Sequence, residues 1–218
     1  MRDTVYIIGG GSSLKGYDFS ALGNKDTITV NMSALDVPNP NYCITADSSI
    51  YRRLEDGEFS NVDTTWVLVT NSNHCTLQMQ RNGTFINIKS QYVHNLLVPN
   101  IVIRNAGVEG IGFEFKDFRT GYNSGFCGFQ LAVLLGYKYI HLLGFDMQDG
   151  PLDRICHYHN RYNRRISKKD FYKYLKNFIL ALNAVEKIGV KVVSRSRFSL
   201  LNDHIEYIDL DCLLAKKL

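Results

Sequence analysis

The chain opens on the feature that most restricts its fold. Residues 4–8 are apolar or β-branched and run without a break into Gly9-Gly10-Gly11-Ser12-Ser13. A strand that is apolar on both sides belongs in a sheet covered on both faces, and such sheets are mostly parallel. A glycine-rich turn at the carboxyl end of that strand puts backbone N–H groups where open α/β sheets hold their ligands. The turn matches neither G-x-x-x-x-G-K-[ST] nor G-x-G-x-x-G, which argues against the ordinary nucleoside-triphosphate and dinucleotide fingerprints.

Further strands are predicted at 27–31, 42–45, 66–70, 139–143 and 190–193, with weaker pieces at 85–88 and 101–103. Helices are predicted at 17–22, with Asp18 inside, at 48–54, capped by Asp47, and at 125–135, buried. A long helix at 169–188 carries Phe171, Leu175, Phe178, Leu182 and Val185 on one face and ends at Gly189. This alternation predicts an α/β, Rossmann-like fold with a mostly parallel sheet and helices on both faces. The 218 residues suit a single domain over 1–218. Within it, the polar loop 147–167 reads as a lid.

Five cysteines, an odd number with no C-x-x-C pair, argue against a disulfide framework or a zinc site and for a reducing compartment. The N-terminus does not read as a signal peptide, and no apolar run reaches the roughly 18 residues of a membrane span. A cytoplasmic protein is expected. The net charge of +4 is mildly basic and fits anionic ligands without demanding nucleic acid. Arg154, Arg161, Arg164, Arg165, Lys168 and Lys169 nevertheless crowd into one stretch.

In the glycine loop, Ser12 and Ser13 add hydroxyl donors to the backbone amides. Asn31 and Asp47, at or just past the ends of the second and third strands, stand where they would bond a base or ribose; a turn residue and a helix cap are their plainer roles. Asn123-Ser124-Gly125 opens a helix and suits an anion or a sugar, or serves as an ordinary cap. His157-Tyr158-His159 supplies imidazoles for base catalysis near neutral pH, and no third metal ligand accompanies the pair. Asp209-Leu210-Asp211 is formally a D-x-D, but it falls in an apparent terminal helix and reads as a cap or a solvated face.

Taken in order, these segments resemble the bacterial sialyltransferase family that decorates lipooligosaccharide. The resemblance rests on residues 5–15, on Asn31, on Ser124-Gly125, and on the run Leu135-Gly136-Tyr137-Lys138-Tyr139-Ile140. It continues through Gly144-Phe145-Asp146, the histidine cluster and Ser199-Leu200-Leu201-Asn202, so it spans nearly the whole chain. It implies a GT-A-like fold, a CMP-sugar donor and no metal or other cofactor. Gly9, Gly11, Ser12 and Ser13 would hold the nucleotide phosphate or ribose, with Asn31 on the nucleotide or donor sugar. Ser124 would touch the donor, and Gly144 and Asp146 would frame the cytidine. His157 or His159 would be the base.

The chain also departs from the family. Asp47 occupies the place of a donor-contacting asparagine, Gly10 replaces an asparagine, and Gln148 stands for a tyrosine that assists phosphate departure. Tyr158, Tyr162 or Arg154 would replace a second such tyrosine, and Arg119 is the nearest match to a displaced arginine.

The expected activity is therefore inverting, metal-independent sugar transfer to a hydroxyl acceptor, a glycan by family default. The basic stretch raises sugar transfer to a hydroxylated base in DNA as a rival. A non-catalytic nucleotide-binding module is another. A pterin-type pyrophosphokinase relative is a third, and would need magnesium on Asp146 and Asp149. Assembly into a homo-oligomer is compatible with all of these.

Overall fold

A computed structural model of the chain describes residues 3–70, 100–150, 156–161 and 166–210, together with the backbone of two short strands at 78–79 and 85–86. Strands β1 (Thr4–Ile8), β2 (Thr27–Val30), β3 (Tyr42–Thr45) and β4 (Thr65–Thr70) come first. The antiparallel pair β5 (Gln78–Met79) and β6 (Phe85–Ile86) follows, and then β7 (Asn100–Arg104). Strands β8 (Tyr139–Leu143), β9 (Lys191–Ser194) and β10 (Glu206–Tyr207) complete the set. The helices are α1 (Ser48–Glu55), α2 (Ser124–Leu134) and α3 (Lys168–Glu186).

Eight strands form one sheet in the order β10-β9-β8-β1-β2-β3-β4-β7. Every pairing in it is parallel. From β1 the chain steps outward through β2, β3, β4 and β7. It then returns to the far side of β1 and steps the other way through β8, β9 and β10. The direction reverses between β1 and β8, and at such a reversal the turns leaving the two strands diverge and leave a crevice.

The buried run in β1 explains itself in this setting. Val5 and Ile7 face α2 and α3 among Ile28, Val30, Ile44, Ile140 and Leu142. Tyr6 and Ile8 face the opposite side, against Leu14, Phe19 and Leu22. Further along that side, Ile50 and Leu54 of α1 pack on Phe59, Trp66 and Leu68. Helix α2 is apolar around most of its circumference, as a helix between sheet and α3 must be. Gly128 lets it lie close to the sheet, since a Cβ there would come within 3.2 Å of Ile7 and 3.3 Å of Ile44. Phe178 of α3 meets Phe126, Phe129 and Phe145 at centroid distances of 5.1, 5.6 and 5.7 Å. Gly189, at φ +76°, turns the chain out of α3. Cys43 and Cys127 are buried packing groups, and burial pushes the Cys43 thiol up to about 12.

Several boundaries differ from the sequence expectation. Asp18 lies outside the short 3-10 turn Phe19–Leu22 and caps it, accepting from Ser20 N–H at 2.9 Å. Strand β2 stops at Val30, because Asn31 takes φ +54° and starts the 3-10 segment Asn31–Leu35. Strand β6 is Phe85–Ile86, and residues 87–88 of the expected strand lie outside the described residues. Asp209 is not helical: it follows β10 and accepts from the Tyr207 hydroxyl at 2.8 Å, while Asp211 lies outside the described residues. Among the described residues no helix is long and apolar enough to cross a membrane.

Phe178→Ala would empty the space where three other rings meet. We expect it to cost about 3–5 kcal/mol in urea-induced unfolding; a loss below about 1 kcal/mol would contradict the packing described.

Candidate active site at the sheet reversal

The reversal sets two turns side by side, 9–13 after β1 and 144–146 after β8. Backbone bonds extend past the strand ends, from Gly9 N–H to Leu143 O (2.7 Å) and from Gly11 N–H to Gly144 O (2.9 Å). No side chain fits between turns this close. A Cβ on Gly9 would lie 2.7 Å from Gly144 O, and one on Gly11 would lie 2.6 Å from Asp146 Cγ.

The Asp146 carboxylate is 4% exposed and turned into the 9–13 turn. Its Oδ2 accepts from Ser13 N–H (2.8 Å) and the Ser12 hydroxyl (3.2 Å), and its Oδ1 accepts from the Ser13 hydroxyl (2.5 Å). Both serine hydroxyls, expected to donate to a ligand, thus donate to Asp146. The same commitment draws Asp146 away from the magnesium pairing with Asp149 that the pyrophosphokinase reading required. Phe145 is also structural in its polar contacts: its N–H donates to Ser196 Oγ (3.0 Å) and its carbonyl accepts from Ser199 Oγ (2.6 Å).

Residues 156–161, the middle one of three described pieces of the expected lid, lie over this floor. Tyr158 N–H donates to Gly10 O at 3.0 Å. The His157 ring stands so close to Gly10 that a Cβ there would come within 2.9 Å of Nδ1. Asp36, which no sequence motif singles out, anchors the segment. It accepts from both terminal nitrogens of Arg161 (2.5 and 2.8 Å) and from the Tyr158 hydroxyl (2.7 Å). Burial works to raise the Asp36 carboxyl, but the hydrogen bonds from Arg161 and Tyr158 outweigh it and hold it below its ordinary range. Burial and the bond to Asp36 both push the Tyr158 hydroxyl up.

Two adjoining cavities open on the floor. The larger, about 590 Å³, has Asn31, Asp47, Asn123, Ser124, His157 and Tyr174 in its wall. The smaller, about 150 Å³, is walled by Gly9, Gly10, Gly11, Gly144, Phe145 and Asp146, with His157 and His159 above. Asn31, Asn123, Ser124, His157 and Tyr174 belong to both walls. Asp47 caps α1 through Ser49 N–H (2.8 Å), and Asn123 caps α2 through Phe126 N–H (2.9 Å). Both nonetheless face the larger cavity, so the capping and lining roles coexist. Ser124 Oγ accepts from Ala46 N–H at 3.0 Å and ties α2 to the end of β3.

The histidines stack with centroids 5.6 Å apart and planes 3° from parallel. Burial lowers the His157 imidazole pKa, opposed by its bond to Gly10. Burial, reinforced by His157 and Arg161, lowers that of His159 to about 4. Both rings are neutral at neutral pH, as a base must be.

Not every expected residue reaches the crevice. Tyr158 points away from both cavities, to Asp36 and Phe19. Arg119 is held by Asp117 Oδ1 (2.8 Å) and Glu109 O (3.0 Å) and is in neither wall. Arg154 and Tyr162 lie outside the described residues, as do Arg164 and Arg165. Tyr174 was missed. It sits three residues after Phe171 and four before Phe178, and that stripe was its only signal.

In fold, the chain is similar to the sialyltransferase CstII. Against the Campylobacter jejuni enzyme in complex with the substrate analogue CMP-3FNeuAc, the TM-score is 0.57 at 20% identity, covering 95% of this chain and 86% of that one. Against CstII in complex with a trisaccharide acceptor and CMP, the TM-score is 0.54 at 18% identity, over 94% and 86% of the two chains. No family model matches the chain, and no curated protein matches it by sequence. The likeness establishes a GT-A-like α/β architecture, in agreement with the expected fold class.

Two predictions follow from this geometry. Gly11→Ala and Asp146→Ala attack the same contact, so their costs should not add. Asp146→Ala alone should lose about 2–3 kcal/mol, the scale of bonds to a charged group. The double variant should fall short of the sum by at least about 0.5 kcal/mol in denaturant titrations; strict additivity would show that the two turns do not depend on that contact. The second concerns pH. The fold favours neutral His159, whereas the unfolded chain binds a proton near its ordinary pKa of about 6.5. That contribution is complete above about pH 6.5 and is lost as pH falls toward about 4. His141, lowered to about 4 by burial and Arg195, acts in the same sense. The melting temperature should drop across this window, and His159→Gln should flatten the drop; an unchanged slope would refute the assignment.

Proposed function

We propose that this chain is a glycosyltransferase that moves a sugar from a nucleotide-sugar donor to a hydroxyl acceptor, with inversion and without a metal. The reading is carried by the position of His157: a neutral imidazole in the wall of both cavities, one floored by a glycine turn and the other large enough for a sugar. Of the 9–13 turn, the Gly10 and Ser12 N–H groups would take the nucleotide phosphate or ribose, with Gly144 and Asn31 beside the nucleobase and Asp146 bracing the turn. The sugar would occupy the larger cavity near Asp47, Asn123 and Ser124. His157 would take the proton from the acceptor hydroxyl as that oxygen attacks the anomeric carbon and the bond to the nucleotide phosphate breaks. His159, in the smaller wall only, is placed to support His157.

The leaving phosphate needs donors. Tyr158 and Arg119 are turned elsewhere, which leaves Tyr174, at the junction of the two cavities, as a described candidate beside Tyr162 and Arg154. CMP is the first nucleotide to test, because the similar structures were solved with CMP or a CMP-sugar analogue. A glycan is the first acceptor to test, on the same ground.

The test is a thermal-shift comparison of CMP, UDP, GDP and ADP, each with and without magnesium. At about 100 times its Kd, a ligand adds about 2.7 kcal/mol, a shift of a few degrees. CMP should raise the melting temperature without magnesium. His157→Ala should then reduce sugar transfer roughly 100-fold or more, and His159→Ala less. Magnesium-dependent stabilisation, or full transfer by His157→Ala, would overturn the mechanism.

A further inference from the structure

The larger cavity has a charge character that its role as a sugar site does not require. Its described wall contains two carboxylates, Asp47 and Asp170, and no lysine or arginine. Asp170 lies 3.5 Å from Lys173 Nζ and is partly balanced by it. No ion pair engages Asp47 among the described residues. Its hydrogen-bond partner is the Ser49 backbone N–H at the start of α1, which compensates the carboxylate only in part. His157, in the same wall, is held neutral by burial. Asn31, elsewhere in the same wall, has a buried Oδ1 with no hydrogen-bond partner among the described residues. Carboxylate oxygens and an amide oxygen only accept hydrogen bonds. The wall around Asp47 therefore calls for a ligand that brings O–H or N–H donors.

We propose that the donor sugar is uncharged or an amino sugar, not a carboxylated one, and that Asp47 is the residue that sets this choice. This rests on the glycosyltransferase reading and narrows it. Hydroxyl or ammonium groups satisfy Asp47 and Asn31. A carboxylate on the sugar brings a like charge into a half-enclosed space where repulsion is weakly screened. Asp47 rejects such a sugar while remaining the cap of α1, so the discrimination is built into a residue the fold already needs.

The experiment compares dissociation constants for CMP, CMP-N-acetylneuraminic acid, UDP and GDP, and the neutral donors UDP-glucose, UDP-N-acetylglucosamine and GDP-mannose. Wild type and Asp47→Asn are measured, in EDTA and again with magnesium. Asparagine also caps helices well, so α1 is preserved. In the wild type, at least one neutral sugar should tighten binding over its bare nucleotide, and the carboxylated sugar should weaken it about tenfold or more. Asp47→Asn should recover about tenfold for CMP-N-acetylneuraminic acid relative to CMP measured with the same variant. Tighter binding of CMP-N-acetylneuraminic acid than of CMP by the wild type, in either buffer, overturns the proposal and leaves the glycosyltransferase reading standing. So does an Asp47→Asn variant with unaltered preference. Failure of every nucleotide and nucleotide-sugar to bind removes that reading, and this proposal with it.

Discussion

The Asp146 carboxylate is the contact on which the crevice depends. It is buried at the end of β8 and reaches across the sheet reversal to hold the turn that leaves β1. A buried carboxylate without partners would be costly; here three donors from two consecutive residues meet its two oxygens. Glycine at 9 and 11 follows from this contact, since the turns could not approach with side chains between them. The fixed turn then provides the surface over which His157 is laid. The floor follows from one carboxylate bridging two turns, and Asp36 with the Gly10 carbonyl holds the histidine segment above it.

The fold was largely legible because its signals are periodic. The continuous apolar run at residues 5–8, the β-branched stretches of β2 and β4, and the stripe on α3 each state how many of their faces are buried. The capping roles of Asp47 and Asn123 also follow from their place before a helix. Boundaries failed where a single residue broke the local pattern. Asn31 sits in a β-branched context, but its left-handed backbone ends the strand one residue early. Asp18 looked interior because an N-cap and a first-turn residue are one position apart.

The site was legible in its turns and less so in its side-chain roles. The glycine turn, Asn31, Asp47, Asn123, Ser124 and His157 do meet at one crevice. What sequence could not convey is which partner each polar group would choose. Ser12 and Ser13 were read as facing a ligand because Asp146, more than a hundred residues away, carries no mark of being their acceptor. Tyr158 was grouped with its histidine neighbours, and its ring does meet that of His159 edge-on, yet Asp36 takes its hydroxyl away from the cavities. Asp36 itself looked like any polar residue in a connection. Long-range pairs of this kind are settled by topology, and local spacing is silent about them.

The close approach of His157 to Gly10 makes two positions answer to each other. With hydrogen alone on the α-carbon at 10, the imidazole ring fills the volume that a side chain would otherwise take. The family pattern that the chain resembles carries asparagine at that place. Asparagine at position 10 of this chain would bring its Cβ within 2.9 Å of His157 Nδ1, so the imidazole would have to shift. The glycine and the low-lying imidazole are thus coupled sterically although they stand 147 residues apart in sequence. Replacing Gly10 alone would press a side chain against the imidazole and shift the ring out of the wall that the two cavities share.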